Sequence, residues 1–282
     1  MKKIKKSDFP GMTNIFGLGL RSTHYSYLEQ RPATAAGWFE IISENYFRTR
    51  GRPRKTLELI REDYPVSCHG VSLSIASFQK FDWNYLKDLK AFYDEIQPFQ
   101  VSDHLCFTGL SNNNLHNLLP FAYNRENLIH LNDRIDQLQN YFGRTFAFEN
   151  LSAYFDYNNS TMTEWDFISE LARTTECDLL LDLNNIFVNS FNHKFNARDF
   201  INAIDFSKVA ELHFAGYSNR DGFYFDTHSN PLYPELIELY KFVLEKKCDI
   251  PVLYEWDEDI PAFDILEEQI KILKSVREQH KQ

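Results

Sequence analysis

RTFAFENLSAYFDYNNSTMTEWDFISELARTTECDLLLDLNN, residues 144–185, reads as a strand, a helix and a second strand. Its two ends, RTFAFEN (144–150) and CDLLLDLNN (177–185), are short, nearly continuous apolar runs, while TEWDFISELART (163–174) has helical spacing behind a candidate N-cap, Thr163. Strands that are apolar throughout, rather than alternating, belong in a parallel sheet covered by helices. Each run also closes on a carboxylate, Glu149 in the first and Asp182 in the second.

The same frame recurs along the chain. Further apolar runs are NIFGLGL (14–20), GWFEIIS (37–43), YPVSCHG (64–70), FQVSDHL (99–105), KVAELHFAG (208–216) and IPVLYEWD (250–257). Helical spacing lies between them in WNYLKDLKAFYDEI (83–96), NRENLIHLNDRIDQLQNYF (124–142, with Asn124 as N-cap) and PELIELYKFVLEKK (234–247), and after them in AFDILEEQIKILKSVREQ (262–279). The first unit is the weakest, because RSTHYSYLEQRPATAA (21–36) leaves room only for a short helix before Pro32. Eight alternations predict an α/β fold, a (β/α)8 TIM-type barrel forming a single domain over residues 1–282. No tandem repeat, low-complexity tract or linker divides it.

With 30 Lys and Arg against 40 Asp and Glu, the net charge is −10, which argues against a broad affinity for nucleic acid. No run approaches the roughly 20 apolar residues of a membrane span, and the basic start MKKIKKSDFP lacks the apolar centre of a secretion signal. A cytoplasmic location without membrane contact is expected. Cys68, Cys106, Cys177 and Cys248 have no C-x-x-C spacing and are read as reduced core thiols, with Cys106 sharing the strand parity of His104.

In such barrels the reacting groups project from the C-terminal strand ends. His69, His104, Glu149, Asp182, His213 and Glu255 close the third to eighth runs, and Asp226 and His228 follow the seventh. Taken singly, each is as readily a core histidine or half of an ion pair. Six successive strand ends make that reading a string of coincidences, and so much converging negative charge calls for cations. Imidazole with carboxylate and no thiolate suits iron, manganese or zinc. Around this set, Glu44 and Asn45 follow the second run and are candidates to line the mouth, while Glu40 is either a site residue or a core partner. Asp103 and Asp257 adjoin ligands, either to orient imidazoles or as surface ion pairs. Arg21 and His24 either bind a substrate carboxylate or are ordinary loop polarity. His130, His193 and His280 are read as solvated.

GLGLRSTHY, WFEIISENYF, HGVSLSI, SDHLCFT, LHNLLP, FENLSAY, LLLDLNNIFVN, ELHFAGY, DTH and YEWDEDIP, in that order, resemble the hallmark segments of the multinuclear non-haem iron-dependent oxidases. That family includes the oxidases of methanobactin and thiaglutamate biosynthesis, and the likeness covers about residues 15–265. It implies a TIM-type barrel with two or three irons, mixed-valent, using O2 to modify a ribosomally made precursor peptide, commonly at cysteine. It also implies a small partner protein that presents the peptide by its leader. By the same resemblance, and a wider one to endonuclease IV and xylose isomerase barrels, His69, His104 and Glu149 hold one metal. Glu149 bridges to a second held by Asp182, His213 and Glu255, so that Glu149, Asp182, His213 and Glu255 form the catalytic core. Asp226, His228 and Asn185 make a third site, where the endonuclease relatives have histidine in place of Asn185. An amide oxygen binds a transition metal more weakly, which predicts a labile third ion. The mechanism expected from this is binding of a substrate thiolate and O2-dependent hydrogen abstraction beside the sulfur. Its rivals are a divalent-metal hydrolase or isomerase on the same ligand frame, and a peptide-binding scaffold with vestigial ligands.

Overall fold

The computed structural model describes residues 14–110 and 113–280, so the basic start MKKIKKSDFP lies outside the described residues. In chain order the strands are β1 (Phe16–Gly19), β2 (Trp38–Ile42), β3 (Val66–Gly70), β4 (Gln100–His104), β5 (Phe107–Leu110), β6 (Asn113–Leu119), β7 (Ala147–Glu149), β8 (Asp178–Asp182), β9 (Val209–Phe214), β10 (Ser218–Arg220), β11 (Phe223–Phe225) and β12 (Val252–Tyr254). Parallel pairing closes β1-β12-β9-β8-β7-β4-β3-β2 into a barrel. The remaining strands form two antiparallel hairpins, β5–β6 and β10–β11.

Helices cover the outside: α1 (Tyr25–Leu28), α2 (Arg52–Asp63), α3 (Trp83–Ile96), α4 (Arg125–Phe142), α5 (Glu164–Thr175), α6 (Leu183–His193), α7 (Ala197–Ala203), α8 (Pro234–Leu244) and α9 (Phe263–His280). Capping sets several boundaries. Asn124 accepts from the Asn127 amide and Thr163 from the Asp166 amide, which satisfies amides that a helix start leaves free. Gly143, at φ 71° and with nothing near its missing Cβ, ends α4 in the left-handed conformation. Leu128, Leu131, Ile135, Leu138 and Phe142 make the buried stripe of α4. Each such side chain contributes about 1.5–3 kcal/mol when fully buried.

Strand alternation divides the barrel interior into layers. At the bottom, Trp38, Phe99 and Leu253 pack as one buried cluster, and Gly17 lacks a side chain where a Cβ would come within 2.3 Å of the Trp38 indole. Higher up the interior turns polar, with Glu40, Ser67, Ser102 and Glu211 all buried. The topmost positions are the strand ends that carry His69, His104, Glu149, Asp182 and His213. The apolar plug below and polar groups above leave one end of the barrel for chemistry. Among the described residues, no helix is long and apolar enough to cross a membrane.

Candidate metal centre

Two imidazoles meet one carboxylate oxygen at the ends of β3, β4 and β7. His69 Nε2 and His104 Nε2 lie 3.2 and 3.3 Å from Glu149 Oε2 and 3.4 Å from each other. Their far nitrogens are occupied: His104 Nδ1 donates to the Gly70 carbonyl at 3.1 Å, and His69 Nδ1 is 2.8 Å from the Ser102 hydroxyl. With Nδ1 as the donor in both, each Nε2 lone pair is left for a shared ligand. Burial, then the neighbouring His104, holds His69 well below its usual pKa, so it stays neutral as a ligand must. A Cβ at Gly70 would fall 2.2 Å from Asp103 Oδ2, which accepts from the Leu73 amide while Oδ1 accepts from the His104 amide. Glycine therefore lets Asp103 brace the turn that carries His104.

The other Glu149 oxygen faces a different donor. Oε1 is 3.6 Å from His213 Nδ1, and Glu255 Oε2 is 3.5 Å from that same nitrogen. Asp182 ends β8 and also caps α6, because its Oδ1 accepts from the Asn185 amide at 2.7 Å. Its second oxygen, Oδ2, makes no hydrogen bond, and neither do Glu149 Oε2 or His213 Nδ1, though all three are buried. Donor atoms with no hydrogen bond, turned toward one another in a protein interior, fit cations rather than water or a salt bridge. Three donor sets are each compact enough for one ion: His69–His104–Glu149, Glu149–Asp182–His213 and Asp182–His228–Glu255. A fourth grouping, Glu40–His213–Glu255, shares residues with them.

Charge reinforces the point. Burial, then Asp226 and Glu149, pushes the Asp182 carboxyl well above its usual range. Burial also opposes charge on Glu255, but His213 and His228 outweigh it and bring its pKa to about 2. At His213 and His228 burial again works against the charged form, and the surrounding carboxylates overcome it and raise both imidazoles well above their usual value. Beside these carboxylates the described residues offer His213 and His228, both favoured in their charged form, and the Arg21 guanidinium 4.0 Å from Glu255.

At the edge of the centre, His228 adopts a left-handed backbone at φ 47°, rare for a residue with a Cβ. Its Nδ1 is 3.3 Å from Glu255 Oε2 and 3.2 Å from Asp257 Oδ2, and its Nε2 is 2.8 Å from Asp226 Oδ1. Asp257 in turn pairs with Arg21, whose guanidinium also lies 4.0 Å from Glu255. Burial disfavours the Asp257 charge, yet Arg21 and His228 hold its pKa below the usual range. The Asp226 contact in α6 is Asn184, which donates from Nδ2 to Oδ1 at 2.6 Å. Asn185 donates instead to the Asn150 carbonyl, and its Oδ1 is buried with no hydrogen bond.

Residues expected at the mouth separate into two groups. Glu44 accepts from the Val71 amide and from the Tyr85 hydroxyl, close to β3, whereas Asn45 is exposed. His24 is buried, with Nε2 2.8 Å from the Pro261 carbonyl and its ring edge-on to Phe263, and belongs to none of the donor sets. His130 and His193 are not free in solvent: each lies within hydrogen-bond distance of a backbone carbonyl, of Ser77 and Ala153 respectively. All four cysteines are free thiols; Cys106 is buried, and burial, then Asp103 and Glu149, pushes it well above its usual pKa. Ser152, whose hydroxyl donates to Asp226 Oδ2 at 3.1 Å, and Ser102, Glu211, Asn150 and Asn184 are not among the candidates read from the sequence. Ser102 and Glu211 stand two residues before His104 and His213, so strand parity turns them to the same interior, a signal the sequence does carry.

Among curated relatives, a UPF0276 protein of Acaryochloris marina is 41% identical over 251 residues, covering 89% of this chain and 90% of the relative. One from Vibrio parahaemolyticus is 39% identical over 257 residues, covering 89% and 88%. Among solved structures, endonuclease IV from Thermus thermophilus superposes with a TM-score of 0.60 at 13% identity, covering 94% of this chain and 99% of that one. The probable 3-DHS dehydratase AsbF from Bacillus anthracis gives 0.62 at 13%, covering 92% and 98%. These distant structures share the barrel fold. The model of the RiPP precursor modification enzymes MbnB/TglH/ChrH matches residues 15–278, and the chain belongs to that family.

Proposed function

We propose that this chain is an O2-dependent oxidase that holds two or three non-haem irons, mixed-valent, and modifies a ribosomally made precursor peptide at cysteine. One observation carries the reading: the two oxygens of Glu149 face separate nitrogen donors, His69 with His104 on one side and His213 on the other. A carboxylate in that position could hold two ions, one through each oxygen. His69, His104 and Glu149 would hold the first, and Glu149, Asp182, His213 and Glu255 the second. Asp182, His228 and Glu255 lie around a third position, with Asp226, Asn184 and Asn185 beside it. When bound, iron supplies the redox capacity of the reaction and an open position for a substrate thiolate.

The protein's own groups orient and insulate. The Gly70 carbonyl and Ser102 fix the two imidazoles of the first site, while Arg21 and Asp257 hold His228 at the edge. The polar layer and apolar plug beneath keep the lower barrel filled, so a peptide enters only from the strand-end face. A small partner protein gripping the leader would raise the local concentration of the core peptide at that face, and a weak core contact would then suffice. The whole chain would act as one catalytic domain.

The test is co-expression with the cognate peptide and partner, followed by mass spectrometry of the peptide. Modification should need dioxygen, iron and the partner together, and the protein should carry about two to three irons per chain after anaerobic purification. Full activity under strict anaerobiosis, or in a stoichiometric zinc form, would favour the hydrolase or isomerase chemistry and sink the oxidase.

A further inference from the structure

Below the metal donors, two buried carboxylates face His213 from the barrel interior. Glu211 and His213 are two residues apart on β9 and point the same way; Glu211 Oε1 lies 3.3 Å from His213 Nε2. Glu40 approaches from β2, with Oε1 3.5 Å from the same nitrogen, while its Oε2 accepts from the Ser67 hydroxyl at 2.8 Å. Both are sealed from solvent, and Glu211 Oε2 makes no hydrogen bond. His213 Nδ1 also makes none, and it is the nitrogen turned toward Glu149 and Glu255.

We propose that Glu211, assisted by Glu40, is a positioning residue that keeps the proton of His213 on Nε2 and thereby presents Nδ1 to the metal. An imidazole has one nitrogen to donate and one to coordinate, so a carboxylate beneath Nε2 decides which is which. The same buried negative charge favours the more positive oxidation state of a metal bound at Nδ1. Ser67 performs the supporting step by holding Glu40 in place. A purely structural ion pair is a poor account of this arrangement, since two carboxylates share one imidazole nitrogen and an oxygen is left over.

This inference rests on the metal-binding reading of His213, and the test separates the two. Apoprotein of the wild type, Glu211→Gln and Glu40→Gln is titrated anaerobically with iron(II) against a competing chelator, and the midpoint potential of each loaded protein is then measured spectroelectrochemically. Neutral isosteres should bind iron about 10–100-fold more weakly for Glu211→Gln and less so for Glu40→Gln, from the usual cost of losing a carboxylate behind a ligating histidine. The potential should move in the positive direction in both. The metal-free melting temperature should stay level or rise, because each change replaces a buried carboxyl group by an amide of the same shape. Wild-type affinity and potential in Glu211→Gln would overturn the positioning role, as would a lowered apoprotein melting temperature with an unmoved potential. If wild-type apoprotein takes up no iron(II), the metal reading itself fails and this inference with it.

Discussion

At the scale of single residues, Glu149 and His228 make a contrasting pair. Glu149 is central: one oxygen is close to two imidazoles and the other to a third. His228 is peripheral, in a strained backbone conformation, and joins only the Asp182–His228–Glu255 set. Glu149→Ala should therefore lose the two ions that Glu149 would hold, and His228→Ala one. Iron titration of both apoproteins decides, and equal loss would contradict the geometry. Six of the residues that meet at this end of the barrel, His69, His104, Glu149, Asp182, His213 and Glu255, are legible in the sequence because each closes an apolar run. Asn184 closes no run and carries no such mark: it lies in the first turn of α6, and the helix rotation turns its amide to Asp226 while that of Asn185 donates to the Asn150 carbonyl.

At the scale of elements, regular spacing marks α3, α4, α5, α8 and α9 in the sequence, whereas α2, α6, α7 and the irregular connections are not marked by it. The predicted helix over 83–96 is α3, and the N-caps Asn124 and Thr163 stand where the sequence puts them. The β5–β6 and β10–β11 hairpins were missed: they lie after strand ends, outside the strand–helix alternation that organises the rest. The predicted strand 177–185 runs too far, because Asp182 is at once the last strand residue and the cap of α6, so Leu183, Asn184 and Asn185 are already helical. That dual role can be separated by substitution. Asp182→Asn keeps an oxygen for the Asn185 amide, whereas Asp182→Ala does not, so the metal-free alanine variant should be about 1 kcal/mol less stable than the asparagine one. Both should lose iron binding. Chemical denaturation of the two apoproteins checks the first statement, and identical stabilities would mean that the cap contributes nothing.

At the scale of the whole molecule, the barrel concentrates Glu40, Glu149, Asp182, Glu211 and Glu255 in one buried end, with Arg21, His213 and His228 as the positive groups beside them. Apolar burial elsewhere must stabilise the fold against this repulsion whenever the ions are absent. Cations bound to the native state alone add stability by mass action, about 4 kcal/mol when free metal is a thousandfold above the dissociation constant. A chain of this size gains roughly 2–4 °C in melting temperature per kcal/mol. Chelation should therefore lower the calorimetric midpoint by on the order of 10 °C, and anaerobic iron(II) should restore it. The size of the drop should shrink in Glu149→Ala, which has less bound metal to lose. A scaffold with vestigial ligands would instead melt at the same temperature before and after chelation, and that result would remove the metal centre from the protein's stability and its chemistry alike.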